Sequence, residues 1–165
     1  MNNNANDCII KCSQFIGSVN KLLSNFGSLQ PDILCKLFNA YCCSMYGCQL
    51  WKFNTKEFDK LCIYWNKAVR RLFNLPLLTH TWILGPLLNQ LHIRDQMYIR
   101  SVKFLDQMYK CNNVIVNVCM KNAITNSNSP LGYKFAFFIN AFGINVNLNN
   151  VNKCILRIET VANYI

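Results

Sequence analysis

Lys60, Tyr64, Lys67 and Arg71 recur at steps of four, three and four residues, the spacing that puts side chains on one flank of a helix. Lys56 extends the row by one turn, and Arg70 flanks it. Cations in line with an aromatic ring can follow a phosphate backbone while the ring offers a stacking surface. Lys56, Lys60, Tyr64, Lys67, Arg70 and Arg71 are therefore the candidate nucleic-acid contacts. The plain alternative is an ordinary solvated helix face.

The cysteines are the other residues with chemistry to offer. The stretch YCCSMYGCQLW, residues 41 to 51, holds Cys42, Cys43 and Cys48. Structural zinc takes two close Cys pairs, or a Cys pair and a His pair, at C-x2-4-C spacing. Cys8 and Cys12 stand one helical turn apart, Cys43 and Cys48 are separated by five positions, and His80 and His92 are isolated. No ligand set assembles, so the cysteines read as small apolar residues that pack. GxGxxG, GxxxxGK and HExxH are all missing. The seven acids include no adjacent pair, whereas two-metal phosphoryl transfer needs clustered carboxylates. The sequence thus offers no catalytic residue, no metal ligand and no cofactor site.

Composition fits a binding role. The 165 residues suffice for one core, and 52% are apolar and 13% aromatic, which argues against disorder. Seventeen Lys and Arg against seven acids leave a net charge of +10, although only 15% of residues are charged. Such an excess favours a polyanion, either nucleic acid or an acidic membrane. The uncharged run between Arg71 and Arg94 is long enough to span a bilayer, but Pro76, Pro86, Asn74, His80 and Asn89 interrupt it. No membrane partner is expected. MNNNANDC lacks the basic start and apolar run of a secretory signal, so an intracellular setting, cytoplasmic or nuclear, with reduced thiols is expected.

Helical signals dominate the elements that must carry these residues. Asp7 is positioned to cap a first helix with Ile9, Cys12, Phe15, Val19, Leu22, Leu23 and Phe26 on its apolar positions. Pro31 opens a second, which the pattern carries through Leu37, Phe38, Tyr41 and Met45 to Leu50, with Gly47 marking a tight packing point or an early end. The third has Asn54 and Glu57 as a capping box and a face of Phe58, Leu61, Cys62, Trp65, Val69, Leu72 and Phe73, with Pro76 as its stop. Thr79 caps a short helix that Gly85 and Pro86 break, and a fifth helix covers about Asn89 to Tyr109. NVIVNVCMKNAI is open between strand and helix, SNSP reads as a turn or cap, and FAFFINAF as a buried element. These patterns predict an all-α antiparallel helical bundle: three helices within residues 1–78, and a helical C-terminal region, 79–165, packed on them.

The runs FIGSVNKLLSNFGSLQPDILCKLFNAYCCSMYGCQLW and WNKAVRRLFNLPLLTHTWIL carry a resemblance. Tyr46, Gly47, Leu50 and Trp51, then Trp65 to Arg71, then Leu75 and Pro76, then Thr79 and His80 match a Tyr-Gly-x-x-Leu-Trp, Trp-(Arg or Asn)-Lys-Ala-(Val or Ile)-Arg-(Arg or Lys), Leu-Pro, Thr-His series. A later Ser-Pro-Leu-Gly segment matches at Ser129 to Gly132. In this order the set resembles the C-terminal part of LINE-type non-LTR retrotransposon reverse transcriptases, over almost the whole chain. The resemblance implies the thumb and post-thumb of an RNA-directed DNA polymerase, with residues 1–78 thumb-like and gripping an RNA or DNA template–primer. The family's aromatic-Ala-Asp-Asp motif, its N-terminal endonuclease and its C-terminal zinc knuckle have no counterpart here. Catalysis and its divalent metal would belong to the missing palm and fingers, and this chain alone would be no enzyme. The rival readings are a non-enzymatic helical interaction domain that has lost its ancestral role and, after it, a membrane-surface protein using the 72 to 93 region.

Overall fold

The computed structural model describes residues 3–126 and 128–142, and every regular element among them is a helix. The chain is all-α. Its α-helices are α1 (Asn3–Phe26), α2 (Pro31–Leu37), α3 (Lys56–Leu72), α4 (Leu84–Leu87), α5 (Ile93–Tyr109), α6 (Val114–Thr125) and α7 (Pro130–Phe142). It divides into two compact units, the first formed by residues up to 46 with 53–93, the second by 47–52 with residues from 94 onward. This differs from a boundary at 78/79: residues 79–93 group with the first three helices, and 47–52 leave them.

In the first unit, α1 buries Cys8, Cys12, Phe15, Val19 and Leu22, whose spacing makes one continuous stripe. Since α1 starts at Asn3, Asp7 lies inside the helix and does not cap it. The chain then turns back through α2, and Phe38 meets Phe15 edge-on at 6.1 Å between ring centroids. α2 stops at Leu37, well short of Leu50, and a π-helical turn spans Phe38–Cys42. In an α-helix Cys43 would point about 100° away from Cys42. The wider turn changes that register, and Cys42, Cys43 and Met45 are all buried.

Thr55, not Asn54, caps α3: its hydroxyl accepts the Phe58 N–H at 3.3 Å. That puts Phe58 where a capping box needs Glu or Gln, so Glu57 takes no part in one. Phe58, Leu61, Cys62, Trp65, Ala68, Val69 and Leu72 form the buried face, and Trp65 is 0% exposed. α3 ends at Leu72, before Pro76 is reached. Asn74 turns to a left-handed φ of 52°, and the Leu75 N–H donates to the Arg70 carbonyl at 2.7 Å. The Cys12 thiol lies 3.9 Å from the Glu57 carbonyl, and Arg71 reaches Asn20 at 2.9 Å. α1 and α3 therefore run in the same direction, as the outer strokes of an up-down-up bundle do. Beyond them Thr79 caps no helix, since its hydroxyl donates to the Pro76 carbonyl at 2.8 Å. A 3-10 turn, Thr81–Ile83, leads into α4, which contains Gly85 and Pro86. Pro86 sits in the first turn, where its missing N–H leaves no intrahelical bond unmade.

In the second unit, Gly47 adopts a φ of 85° and opens a 3-10 turn, Cys48–Leu50. That conformation is open to glycine and costly for residues with a Cβ. α5 begins at Ile93, later than the apolar pattern suggests, because Asn89 is left-handed at a φ of 52°. The ambiguous NVIVNVCMKNAI segment is α6, capped by the Asn113 side chain, which accepts from Ile115 N–H at 2.9 Å. Ser129 organises the start of α7, accepting from the Gly132 N–H at 2.9 Å and donating to the Ala123 carbonyl. Tyr98 of α5 packs against Phe137 and Phe138 of α7 at 5.5 and 6.2 Å. The tail after Gly143 lies outside the described residues.

Candidate nucleic-acid interface

α3 is 17 residues long, and its strong separation of apolar and charged positions is what turns the candidate residues outward together. At 3.6 residues per turn, Lys60, Tyr64, Lys67 and Arg71 fall within a sector of about 60°. Lys60, Lys67 and Arg71 are exposed and Tyr64 is half-buried. Lys56 is exposed one turn earlier, at the N-terminal end of the same row. From Lys60 to Arg71 the row rises about 16 Å, close to the axial length of about five phosphates on one duplex strand.

α1 borders the row. Arg71 Nη1 donates to Asn20 Oδ1 at 2.9 Å, which orients the guanidinium and leaves its other N–H groups to outside acceptors. At the other end, the Cys12 thiol is drawn below its ordinary range, chiefly by a hydrogen bond from Cys8 and in smaller part by the Lys60 cation, against the effect of burial. Cys8 is pushed up, first by that same bond and then by burial. The pairing of these thiols is internal and buried.

Arg70 is turned away from the row by about 100° of helix rotation from Arg71. Its Nε and Nη2 both donate to the Thr79 carbonyl, at 3.2 and 2.7 Å. A guanidinium fork on one carbonyl fixes the turn after α3. Of the six residues singled out in the sequence, five share the α3 surface and Arg70 holds a backbone. On the same side, His92 Nε2 lies 2.9 Å from Asn66 Oδ1 and its ring meets Trp65 edge-on at 4.8 Å.

Protein-family models, curated proteins and solved structures give no match to the chain.

Among the described residues no group of three or more His, Cys, Asp or Glu is placed to hold a metal ion, and no helix is long and apolar enough to cross a membrane. Cys8, Cys12, Cys42, Cys43, Cys48 and Cys62 are buried thiols. One polar cluster escaped the sequence reading. Lys134 is 1% exposed and donates to Ser101 Oγ at 3.0 Å and to the Cys48 carbonyl at 3.4 Å. Burial lowers its pKa to about 7, against an opposing pull from Cys48. The available signal was a single lysine in the apolar run LGYKFAFF. Its site is closed, and it belongs to the packing of the second unit rather than to a surface.

Proposed function

We propose that this chain is a palm-less piece of an RNA-directed DNA polymerase that holds template–primer, RNA or DNA, by its sugar–phosphate backbone. The supporting observation is the outward row on α3, in which Lys60, Lys67 and Arg71 face solvent together beside Tyr64. Exposed cations at this spacing bind phosphates without reading bases. Lys56 lengthens the contact, and Arg70 contributes by fixing the turn at Thr79. The role is binding alone. Carboxylates and divalent metal would come from the palm, which with the fingers is the protein partner in this reading.

A salt titration of binding to an RNA–DNA hybrid tests it, comparing wild type with the Lys60→Gln, Lys67→Gln, Arg71→Gln triple variant. Each cation that neutralises a phosphate adds about 0.9 to the magnitude of the log K against log salt slope. The triple variant is expected to lose roughly 2–3 units of slope, equally for unrelated sequences. Equal slopes in two folded proteins would reduce the row to a solvated face.

A second reading, a helical interaction domain without nucleic acid, draws on a different observation. Leu77, Leu78 and Trp82 are 78%, 94% and 59% exposed in the segment that Arg70 braces. Clustered exposed apolar residues mark contact surfaces. Association that is lost in a Leu78→Ser, Trp82→Ser variant, with no duplex binding by wild type, would favour this reading.

A further inference from the structure

A groove of about 470 Å³ lies in the first unit between α1 and the end of the π-helical turn with the residues that follow it. Lys11, Ser18 and Lys21 come from α1, and Tyr41, Ser44 and Met45 from the other wall. No carboxylate lines it. Among the described residues neither lysine is held in an ion pair. Met45 is buried, whereas the Tyr41 ring stands 70% exposed. Lys11 and Lys21 are separated by about 15 Å along the helix axis.

Gly17 gives a second, independent indication. It lies mid-helix and lines the groove, and a Cβ built on it would meet nothing within 4 Å. Glycine in a helix interior is less stable than alanine, and no close packing requires it here. Its effect is to keep the α1 wall clear.

We propose that this groove binds single-stranded nucleic acid, with phosphates on Lys11 and Lys21 and a base stacked on Tyr41. The volume suits an inserted base and sugar, and cations interleaved with an aromatic ring are the usual means of holding a single strand without sequence preference. Ser18 and Ser44 supply hydroxyls for phosphate or sugar oxygens. The groove is separate from the α3 row. Asn20, which holds Arg71, does not line the groove and lies about 60° around α1 from Gly17 and about 100° from Lys21. The molecule would then carry a duplex surface and a strand surface on different faces of α1. The inference rests on the proposed function only in taking nucleic acid as the ligand.

The test uses the full chain with two fluorescent probes, an unstructured oligothymidylate and an RNA–DNA hybrid duplex. Three variants are compared: Lys11→Gln with Lys21→Gln, Tyr41→Leu, and Gly17→Leu. Gly17→Leu fills the groove without removing charge, and leucine suits a helix better than glycine. Tyr41→Leu and Gly17→Leu are expected to weaken single-strand binding roughly ten-fold or more. The double-lysine variant is expected to lower the single-strand salt slope by about 1–1.5. Hybrid binding should stay close to wild type in all three. Wild-type single-strand affinity in the folded Gly17→Leu and Tyr41→Leu variants would overturn the groove and leave the α3 reading standing. Equal losses on both probes would also overturn it, by showing a general charge effect. A wild-type chain that binds the single strand but not the hybrid would sustain the groove and sink the duplex reading, and one that binds neither would remove both.

Discussion

α3 and α7 both carry lysine among aromatic residues, and they treat it in opposite ways. On α3 seven apolar side chains share one face, so Lys60 and Lys67 lie opposite them in solvent. α7, PLGYKFAFFINAF, has one charge in thirteen residues and buried positions at Lys134, Phe135 and Phe138. With no polar side to its helix, Lys134 turns inward to Ser101 Oγ and the Cys48 carbonyl. A formal charge of +10 counts these lysines alike. Only those of the α3 kind create an outside field at neutral pH, because a buried ammonium with a pKa near 7 is already partly discharged. Charge therefore has to be read with the helix that carries it.

The comparison breaks most readily at its apolar side. If the inner face of α3 holds the first unit together, Trp65→Ala should cost roughly 3–5 kcal/mol, a large share of the ~5–15 kcal/mol typical of a domain. Denaturant melts of wild type and variant measure it. An unchanged midpoint would mean that the buried face is not what keeps the cations outside.

Lys134 sets the next largest effect, through pH. Its folded pKa of about 7 is below its ordinary value, so between pH 7 and the unfolded value the unfolded chain binds more protons. Stability must then rise with pH across that window, and the advantage is lost as pH falls toward 7. The groups around it are the Cys48 thiol, which burial pushes up, and Arg100, which acts on that thiol. Cys48 works in the opposite sense once free thiols begin to ionise at about pH 8.5. The interval that Cys48 leaves clear is therefore about pH 7 to 8.5, where Lys134 gives a slope of at most about 1.4 kcal/mol per pH unit. Cys12, drawn below its ordinary range, acts in the same sense, so the share of Lys134 is read as the difference between wild type and variant. Lys134→Met should flatten this slope and raise stability at pH 7. A variant with the wild-type slope would show that Lys134 is not the titrating group.

How far these features were legible follows from the range of the interactions that set them. The α3 face and its cationic row are written in a single 3.6-residue period, so Trp65 and the five outward residues could be read directly. Asn54 and Thr55 are both able caps, and choosing between them needs the backbone hydrogen bond to Phe58. The end of α2 was not legible. Tyr41, Met45 and Leu50 continue a helical period, but the chain leaves it for a π turn and a left-handed Gly47. The groove was hidden for a related reason, since Lys11 and Tyr41 are brought together only by the return from α1. Arg70 looked like its neighbour Arg71, and one residue of helix rotation gave it a backbone carbonyl instead.

The α3 cap offers a smaller test. Thr55→Ala removes the side-chain acceptor for the Phe58 N–H and should cost about 1 kcal/mol. The same change at Asn54 should cost well under that, because Asn54 lies outside the helix and is exposed. Equal losses in paired melts would return the cap to Asn54 and shift the start of the helix by one residue.

The smallest expected effect decides whether the row on α3 is separate from the fold. Lys60, Lys67 and Arg71 are exposed, and the contact between Arg71 and Asn20 is solvent-accessible on both sides. Water replaces such a bond at little net cost, and exposed substitutions usually stay within about 0.5 kcal/mol each. Removing three like charges from a strongly basic chain also relieves some self-repulsion, which offsets part of that loss. The triple Gln variant should therefore melt close to wild type while its duplex salt slope falls. Melting and binding must be measured on the same preparations, since a partly unfolded variant would lose affinity for an unrelated reason. If its stability fell as far as that of Trp65→Ala, the cations would be part of the packing, and the contrast with Lys134 would disappear.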